Sequence, residues 1–458
     1  MTEATQAIAT AETIVQVVRN HAQSTPAAMA FTFGDEVLSF GSLDAGSNRA
    51  ANGLLAQGIQ PGDRVAYLGK NSHLYFEILL GALKVGAAMT PVNWRLADPE
   101  IIYVLNDCQA RLLFVGDGFA EMAARIAPRL EHVKTIIGVD AQDGNQTDYR
   151  TWRDGFPATD PHCNGGTDDD AIQLYTSGTT GYPKGAVMTN RSIFASRAGA
   201  SQAEPLDWQV SVPGEVTLLA MPCFHISGTG TGLGTMFAGT GAIVLPEYDP
   251  TKALEMIEQF NISKIFMVPA AIQIMLNHPR VHEVDFSRLK YITYGASPIP
   301  LELMRAAMDR FGCGFVQMYG MTETSGTIVT LNPEDHDPAG SPRMLSVGKP
   351  LPGVEIKIID GEGQELPAGQ IGEIATRSIK NMKGYWNNPK ATASTIDADG
   401  WLKTGDAGYL DEDGYLYIRD RVKDMIISGG ENVYPAEVET VLLQIEGVVD
   451  ASVFGEKH

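Results

Sequence analysis

Ten residues, Thr176 to Gly185, read TSGTTGYPKG and combine four aliphatic hydroxyls, three glycines and one lysine. That combination suits the holding of a polyphosphate. Glycines at 178, 181 and 185 permit backbone conformations and close approaches that a Cβ would forbid, so successive N–H groups can turn toward phosphate oxygens. Thr176, Ser177, Thr179 and Thr180 add hydroxyl donors, and Lys184 adds a point charge. The loop is not a Walker A motif, which requires Gly-x-x-x-x-Gly-Lys-Ser/Thr and opens directly into a helix. Here Pro183 precedes the lysine, Gly185 follows it, and the flanking runs AIQLY and AVMT predict a loop hung between two strands.

The elements that must position this loop alternate in type. Asp63 to Asn93 reads as strand (RVAYLG), apolar helix (YFEILLGALKVG) and strand (AAMTPV). Glu215 to Pro246 repeats that layout with VTLLAMP, a Gly-rich apolar segment and AIVLP, which predicts two related layers. Thr251 to Phe260 predicts a helix with Leu254, Ile257 and Phe260 on one side. The strand KIFMVP, the helix AAIQIML, the strand KYITYG, the helix LELMRAAMDRF and the strand GFVQMYG follow, a run of β-α-β units. From about Ser341 the pattern changes to short strands split by turns, with Asp413-Gly414 at a hairpin tip. Beyond Arg421 come a strand MIIS, the loop GGENVY, a helix opened by Pro435 with Val438, Val441, Leu442 and Ile445 on one face, and a strand VVDASVF. The class is α/β: a large multi-layer part of two related β-α subdomains, a small β-rich subdomain, and the start of an α+β domain too short to bury a core alone.

Bulk composition narrows the chemistry further. A chain of 458 residues exceeds one ordinary core, and a formal charge of −21 with only 34 Lys and Arg argues against a nucleic-acid surface. An anionic substrate must then be met by local charge. Cys108, Cys163, Cys223 and Cys313 form no CxxC, so neither a disulfide framework nor a zinc knuckle is expected, and a reducing, cytoplasmic compartment fits best. Cys223 with His225, and His278 with His282, lack third and fourth ligands at useful spacing. The first residues lack a basic region followed by an apolar core, so no signal peptide is expected, and no apolar stretch reaches about 18 residues uninterrupted.

Four further segments complete the pattern: MPCFHISG (221–228), YGASP with QMYGMTET (294–298 and 317–324), LKTGD (402–406) and DRVKDMIISGGENVYPAE (420–437). With TSGTTGYPKG, and in this order, they closely resemble the adenylate-forming superfamily, most of all its acyl-CoA synthetases. The resemblance covers nearly the whole chain, and residues 400–437 are similar to fatty acyl-CoA synthetases in particular. It implies an acid–CoA ligase using ATP and Mg²⁺. Carboxylate and ATP would give acyl-AMP and pyrophosphate; the CoA thiol would then attack the carbonyl and release AMP.

Both reactants of the first step are anionic, so such a protein has mainly to neutralise and position them. By the resemblance, the loop (Thr176, Ser177, Gly178, Thr179, Thr180, Gly181) and Lys184 hold the β- and γ-phosphates, Thr322 contacts the α-phosphate, and Glu323 ligates Mg²⁺, an ion that favours hard oxygen ligands. Tyr319 would stack on adenine, with Gly295, Ala296 and Ser297 across from it and Gly320 and Met321 continuing the nucleotide site. Asp406 and Arg421 would grip the ribose hydroxyls. Read singly, Tyr319 is equally a core aromatic, Asp406 a turn residue and Arg421 a surface ion pair.

The implied organisation is a large N-terminal domain over 1–420, its β-rich subdomain over about 341–420, a hinge at 421–423 with Lys423 as the pivot, and an incomplete mobile domain over 424–458. Gly429 and Gly430 would approach the pantetheine arm of CoA. In the family the last domain continues and supplies a lysine that bridges the α-phosphate region and the substrate carboxylate. The resemblance therefore implies either a truncated or partly ordered form of a longer protein or a natural variant impaired in the first step, the former being the expectation.

His225 falls where the family places a residue between the acyl pocket and the route of the thiol, and amino-acid-activating relatives carry an aspartate there. Histidine cannot serve as a fixed counter-anion to an ammonium group. The following segment, Ile226 to Gly241, is rich in Gly and Thr and has no charge, so an apolar, fatty acid is the expected substrate, with Gly228, Gly230 and Gly320 beside His225 in the pocket. An aryl-acid CoA ligase, a stand-alone adenylation enzyme loading a separate carrier protein, and a catalytically silent nucleotide-binding module are the alternatives. The partners implied are a carboxylic acid, ATP and CoA, with neither nucleic acid nor a membrane span, and a homodimer is left open. A panel of acids in a pyrophosphate-release assay is expected to favour fatty or aryl acids over every standard amino acid. Efficient activation of any α-amino acid would overturn the pocket assignment.

Overall fold

The computed structural model describes residues 11–140, 147–163, 165–176, 182–195, 206–337, 339–422, 426–428, 431–433, 435–442, 445, 448 and 451–455. Two large sheets carry the architecture. The first, of nine strands, runs in spatial order Lys349–Pro350 (β16), Gly326–Leu331 (β15), Gly314–Met321 (β14), Tyr291–Gly295 (β13), Lys264–Met267 (β12), Val216–Leu219 (β10), Gly241–Val244 (β11), Met29–Phe33 (β1) and Glu36–Ser39 (β2). The second, of eight, runs Gly384–Tyr385 (β19), Lys184–Thr189 (β9), Asp170–Thr176 (β8), Ala88–Val92 (β4), Arg64–Leu68 (β3), Ala110–Val115 (β5), Thr135–Gly138 (β6) and Thr147–Asp148 (β7). A four-stranded antiparallel sheet joins Glu355–Ile359 (β17), Gly372–Arg377 (β18), Leu402–Leu410 (β20) and Leu416–Arg421 (β21), and Ile426–Ser428 (β22) pairs with Glu431–Val433 (β23).

Successive strand residues point to opposite faces, and the burial follows that period. In β3, Val65 and Tyr67 join the core between the large sheets, while Ala66 and Leu68 face the helices Asp98–Asp107 and Ala120–Ile126. In β11, Ala242 and Val244 face the inner core, and Ile243 faces the helices Pro250–Phe260, Pro269–Leu276 and Leu301–Phe311. Helices Ile14–Ser24, Phe40–Ala56, His73–Lys84 and Ile226–Ala238 fill the inner layer. The result is five layers, helix, sheet, helix, sheet, helix.

Helix His73–Lys84 shows why the inner layer is cohesive. Ser72 caps it by accepting from the Leu74 N–H, and all of its residues are buried, as expected of a helix apolar nearly all round. Its two charges are matched inside the protein. Glu77 accepts from Tyr149 and Arg153 at 2.8 Å each, and the Lys84 ammonium donates to Asp44, Ser47 and Asn48 at 2.6–2.8 Å.

The two repeated segments fold alike, as β3, helix His73–Lys84 and β4, and as β10, helix Ile226–Ala238 and β11, each closing a parallel pair. The β-α run expected after Thr251 is present strand for strand. Two features differ from expectation. The two-residue strands β16 and β19 leave the β-rich region to edge the two large sheets. Residues 451–454, expected within a strand, are not in one: the Val453 N–H donates to the Glu439 carboxylate at 2.8 Å, and a strand needs a ladder. Among the described residues no helix is long and apolar enough to cross a membrane.

The helix Ile226–Ala238 meets its neighbours through its glycines. A Cβ on Gly232 would stand 2.2 Å from the ring of Phe76, which is fully buried and stacked on Phe31 at 4.5 Å. Overpacking costs about 1–3 kcal/mol, against about 1 kcal/mol gained from the helix propensity of alanine. Gly232→Ala is therefore expected to lower the urea midpoint at an unchanged m-value. An unshifted or raised midpoint would show that the Phe76 ring yields.

Candidate active site

In the nine-stranded sheet β10 lies between β11 and β12, so the chain leaves β10 in one direction and returns on its other side. The crevice at the carboxyl ends of strands at such a reversal is where open α/β sheets bind ligands. The predicted residues gather there. β10 leads to His225, which caps the helix Ile226–Ala238; β13 ends at Gly295; β14 ends at Met321 and runs into the 3₁₀ turn Thr322–Thr324.

The phosphate loop is hung as expected between β8 and β9, which pair antiparallel with Thr176 opposite Lys184. Ser177, Gly178, Thr179, Thr180 and Gly181 lie outside the described residues, as do Lys423, Gly429 and Gly430. Lys184 opens β9, two residues ahead of the expected strand start, because Lys184 and Gly185 still find ladder partners in Thr176 and Tyr175.

Glu323 is the centre of the end where the expected phosphate loop leaves β8. It is 5% exposed, and its Oε1 accepts from the Thr176 hydroxyl at 3.1 Å and from the Tyr385 hydroxyl at 2.8 Å. Its backbone carbonyl accepts from the Met382 N–H at 2.7 Å. The Lys184 ammonium stands 4.3 Å from the Tyr385 ring centroid. Among the described residues no group of three or more His, Cys, Asp or Glu could hold a metal ion, and no hydrogen bond falls on Glu323 Oε2. One buried carboxylate with an unengaged oxygen fits a hard cation that takes its remaining ligands from phosphate and water, as Mg²⁺ does.

The other end is built on β14, β20 and β21. Asp406 sits opposite Arg421 in register; its Oδ1 meets the guanidinium at 3.0 Å and its Oδ2 accepts from the Tyr319 hydroxyl at 2.7 Å. Burial pushes the Asp406 carboxyl above the ordinary range, against the pull of Tyr319 and Arg421, and burial also raises Tyr319. Tyr319 is thus tied to the ribose-grip candidate as well as to the packing around Ile328 and Val329. Ala296, just past β13, has φ +71° and is exposed with Ser297. A non-glycine residue in that region costs of order 1–3 kcal/mol and tends to persist where the surroundings hold it for function.

The pocket glycines separate into two kinds. A Cβ on Gly228 would stand 2.3 Å from the Pro222 carbonyl oxygen, and one on Gly320 would stand 2.1 Å from that of Gly326. These two serve close backbone approach. Around Gly230 nothing lies within 4 Å of the Cβ position. Ile226 lies against Gly326, which brings the His225 end of the helix beside the turn that carries Glu323. The His225 imidazole lies 4.5 Å from the Phe224 ring; burial of its flank and the Arg95 guanidinium hold it below the ordinary histidine range.

Tyr385, Met382 and Trp386 were missed by sequence reasoning. Each enters through β19 and its flanks, where Lys383 donates to Val187 and Trp386 to Gly185. The only local signal is an aromatic pair after Gly384, which carries no chemistry until the partner strand is known.

A family model described as AMP-binding enzyme matches residues 18–386. The chain is 43% identical over 447 residues to a fatty acid–[acyl-carrier-protein] ligase, ScoC, of Streptomyces coeruleorubidus, covering 97% of this chain and 84% of that protein. It is 36% identical over 436 residues to a feruloyl-CoA synthase of an Amycolatopsis species, with 95% and 84% covered. A solved Mycobacterium tuberculosis fatty acyl CoA synthetase superposes with a TM-score of 0.83 at 32% identity, with 97% of this chain and 85% of that one covered.

Replacing Asp406 separates its binding role from its structural one. Its pKa is higher folded than unfolded, so the stability it supplies is fully present below the unfolded carboxylate pKa and is lost as pH rises through the folded value. Asp406→Asn removes that slope, and Arg421, its side chain 44% exposed, keeps its hydration. Folding stability at pH 7 is expected to change by less than about 1 kcal/mol, while AMP binding weakens by about 1.5–3 kcal/mol, the worth of hydrogen bonds to a charged group. Calorimetry that finds AMP binding equal to wild type would reduce Asp406 to a turn residue.

Proposed function

The chain belongs to the AMP-binding enzyme family, and from that premise we propose that it activates an apolar carboxylic acid as its acyl-AMP and passes the acyl group to a thiol. The observation that carries this reading is the division of labour along five residues, Tyr319 to Glu323. Tyr319 reaches the pair Asp406 and Arg421 on one side, and Glu323 reaches Thr176 and the Lys184 perch on the other. A nucleoside fits the first end and its phosphates fit the second.

In the first step a carboxylate oxygen attacks the α-phosphorus and the bond to pyrophosphate breaks; in the second the thiol sulfur attacks the acyl carbonyl and AMP leaves. Asp406 accepts from the ribose hydroxyls and Arg421 donates to them. Thr322 meets the α-phosphate, while Lys184 and the Thr176 hydroxyl meet the leaving pyrophosphate. Mg²⁺, bound through Glu323, supplies neutralisation of the phosphate oxygens. The large part of the chain up to residue 420, with Arg421 at its edge, forms this site, and residues from 424 onward belong to a second, smaller domain.

The acid is apolar because the helix Ile226–Ala238 carries no charge and Gly230 and Gly234 leave open space beside it. His225, beside which no carboxylate is found among the described residues, offers no fixed anion to an α-ammonium group. CoA is the acceptor in this reading. A carrier protein is the second reading, favoured by the 43% identity to a fatty acid–[acyl-carrier-protein] ligase.

ATP–pyrophosphate exchange driven by fatty acids tests the first step. Lys184→Ala is expected to slow it about 10²- to 10³-fold, the scale of losing one positioned donor. Wild-type exchange with no acid, or an unaltered rate in Lys184→Ala, would overturn the assignment. Mass spectrometry of thioesters formed from supplied acyl-AMP then decides the acceptor: acyl-CoA supports the first reading, and acylation of a phosphopantetheinylated carrier protein alone supports the second.

A further inference from the structure

Lys184 and Glu323 both touch Tyr385, yet among the described residues no ion pair joins them. The ammonium lies over the ring face, 4.3 Å from its centroid, and the carboxylate accepts a hydrogen bond from the hydroxyl at 2.8 Å. A tyrosine 9% exposed that only filled space would pack on Ala186, Met382 and Leu402 and could equally be phenylalanine. Its hydroxyl instead ends on a buried carboxylate, and its ring ends on the cation that opens β9.

We infer that Tyr385 is a positioning residue that keeps the two opposite charges of the phosphate end apart and aimed, so that each is available to incoming nucleotide and metal. This rests on the ligase reading above. Left to themselves, a lysine and a glutamate at close range in a partly buried site would pair. The pair would then have to be broken before Lys184 could meet a phosphate or Glu323 a cation. A cation over an aromatic face is held by only about 0.5–1 kcal/mol at exposed sites, somewhat more when desolvated, so the lysine is parked but easily released. The hydroxyl, together with Thr176, occupies Oε1 of Glu323 and so fixes which way Oε2 points. That is how second partners orient a ligating carboxylate.

The segment that carries Tyr385 is clamped firmly enough for the task. Met382 donates to the Glu323 carbonyl at 2.7 Å, Lys383 to Val187 at 2.9 Å, and Trp386 to Gly185 at 2.7 Å. The Trp386 indole N–H reaches the Asp107 carbonyl at 2.9 Å, and its ring carries the Arg64 guanidinium at 3.5 Å. The clamp therefore grips Glu323, the exit of the phosphate loop and the second sheet together. Tyr385 rides on it in a fixed register, opposite Ala186.

The test is calorimetric titration of ATP at a series of Mg²⁺ concentrations with no acid present, so that no chemistry occurs, with AMP in the absence of metal as a control. AMP has neither β- nor γ-phosphate and does not call on Lys184 or the cation. Tyr385→Phe is expected to raise the Mg²⁺ concentration for half-maximal ATP binding about 10- to 100-fold, the usual cost of losing a group that orients a metal ligand, and to leave AMP affinity within about twofold. In a Glu323→Gln background the same substitution should add less than about threefold, since residues acting through one another are not additive. An unchanged Mg²⁺ dependence in Tyr385→Phe would overturn the inference, and so would an equal loss of AMP and Mg²⁺-dependent ATP binding, the mark of a merely structural role. A wild-type protein that shows no Mg²⁺-dependent ATP binding would instead overturn the ligase reading itself, and the inference with it.

Discussion

Burying one carboxylate, that of Glu323, sets the terms for the elements around it. An ion taken out of water costs several kcal/mol unless donors replace its hydration, and Glu323 is 5% exposed. Two replacements reach it, the Thr176 hydroxyl from the end of β8 and the Tyr385 hydroxyl from β19, while the turn that follows β14 presents the carboxylate to them. Each belongs to a different stretch of chain, so the carboxylate can be accommodated only when both large sheets and the β-rich region are docked. The same docking closes the crevice in which nucleotide chemistry is proposed. Stability and function therefore draw on one set of hydrogen bonds, and a change that loosens either sheet should be felt at the phosphate end.

Around that centre the backbone adopts conformations that would be costly elsewhere. Ala296 and Ser325 have φ of +71° and +50°, and they stand at the two exits from the crevice, after β13 and after the turn Thr322–Thr324. Positive φ at non-glycine positions costs of order 1–3 kcal/mol and needs a surrounding structure that over-determines it. For Ser325 the surroundings are visible: its hydroxyl meets that of Ser192 at 3.1 Å, and its N–H donates to the Thr322 carbonyl at 3.0 Å. The turn is held tight, and Glu323 is presented from a rigid base.

Much of this was legible in the residues, and the failures have a common cause. TSGTTGYPKG and its flanking runs predicted a loop between two strands, as found, and the alternation of apolar runs in Thr251 to Gly320 needed only periodicity. Tyr385 could not be read, because its meaning depends on the pairing of a two-residue strand with β9, about 200 residues earlier in the chain, and a strand that short has no periodicity of its own. The glycines of the expected pocket failed in another way. Gly228, Gly230 and Gly320 look alike in a sequence, yet two leave room for a neighbouring carbonyl and one leaves room for nothing yet present. Residues 451–454 alternate as a strand does, yet the Val453 N–H goes to the Glu439 carboxylate at 2.8 Å and not into a ladder, which is a property of two segments, not one.

The proposed nucleoside end is anchored on the last strand of the β-rich sheet. Arg421 closes β21 and is paired in register with Asp406, and the next residue, Val422, still donates to the Gly405 carbonyl at 2.9 Å. From Ile426 the chain belongs to a separate two-stranded sheet. A turn of the backbone after Val422 would thus leave Asp406, Arg421 and Tyr319 together on the large part of the molecule. Nucleotide gripped by these three would keep its place while later residues changed theirs. The phosphate end behaves the same way, since Thr176, Lys184, Glu323 and Tyr385 are all fixed in or beside the large sheets. In the proposed reaction, what could vary between the two steps would then be the approach of a thiol from the side of His225, with the activated acid held in place.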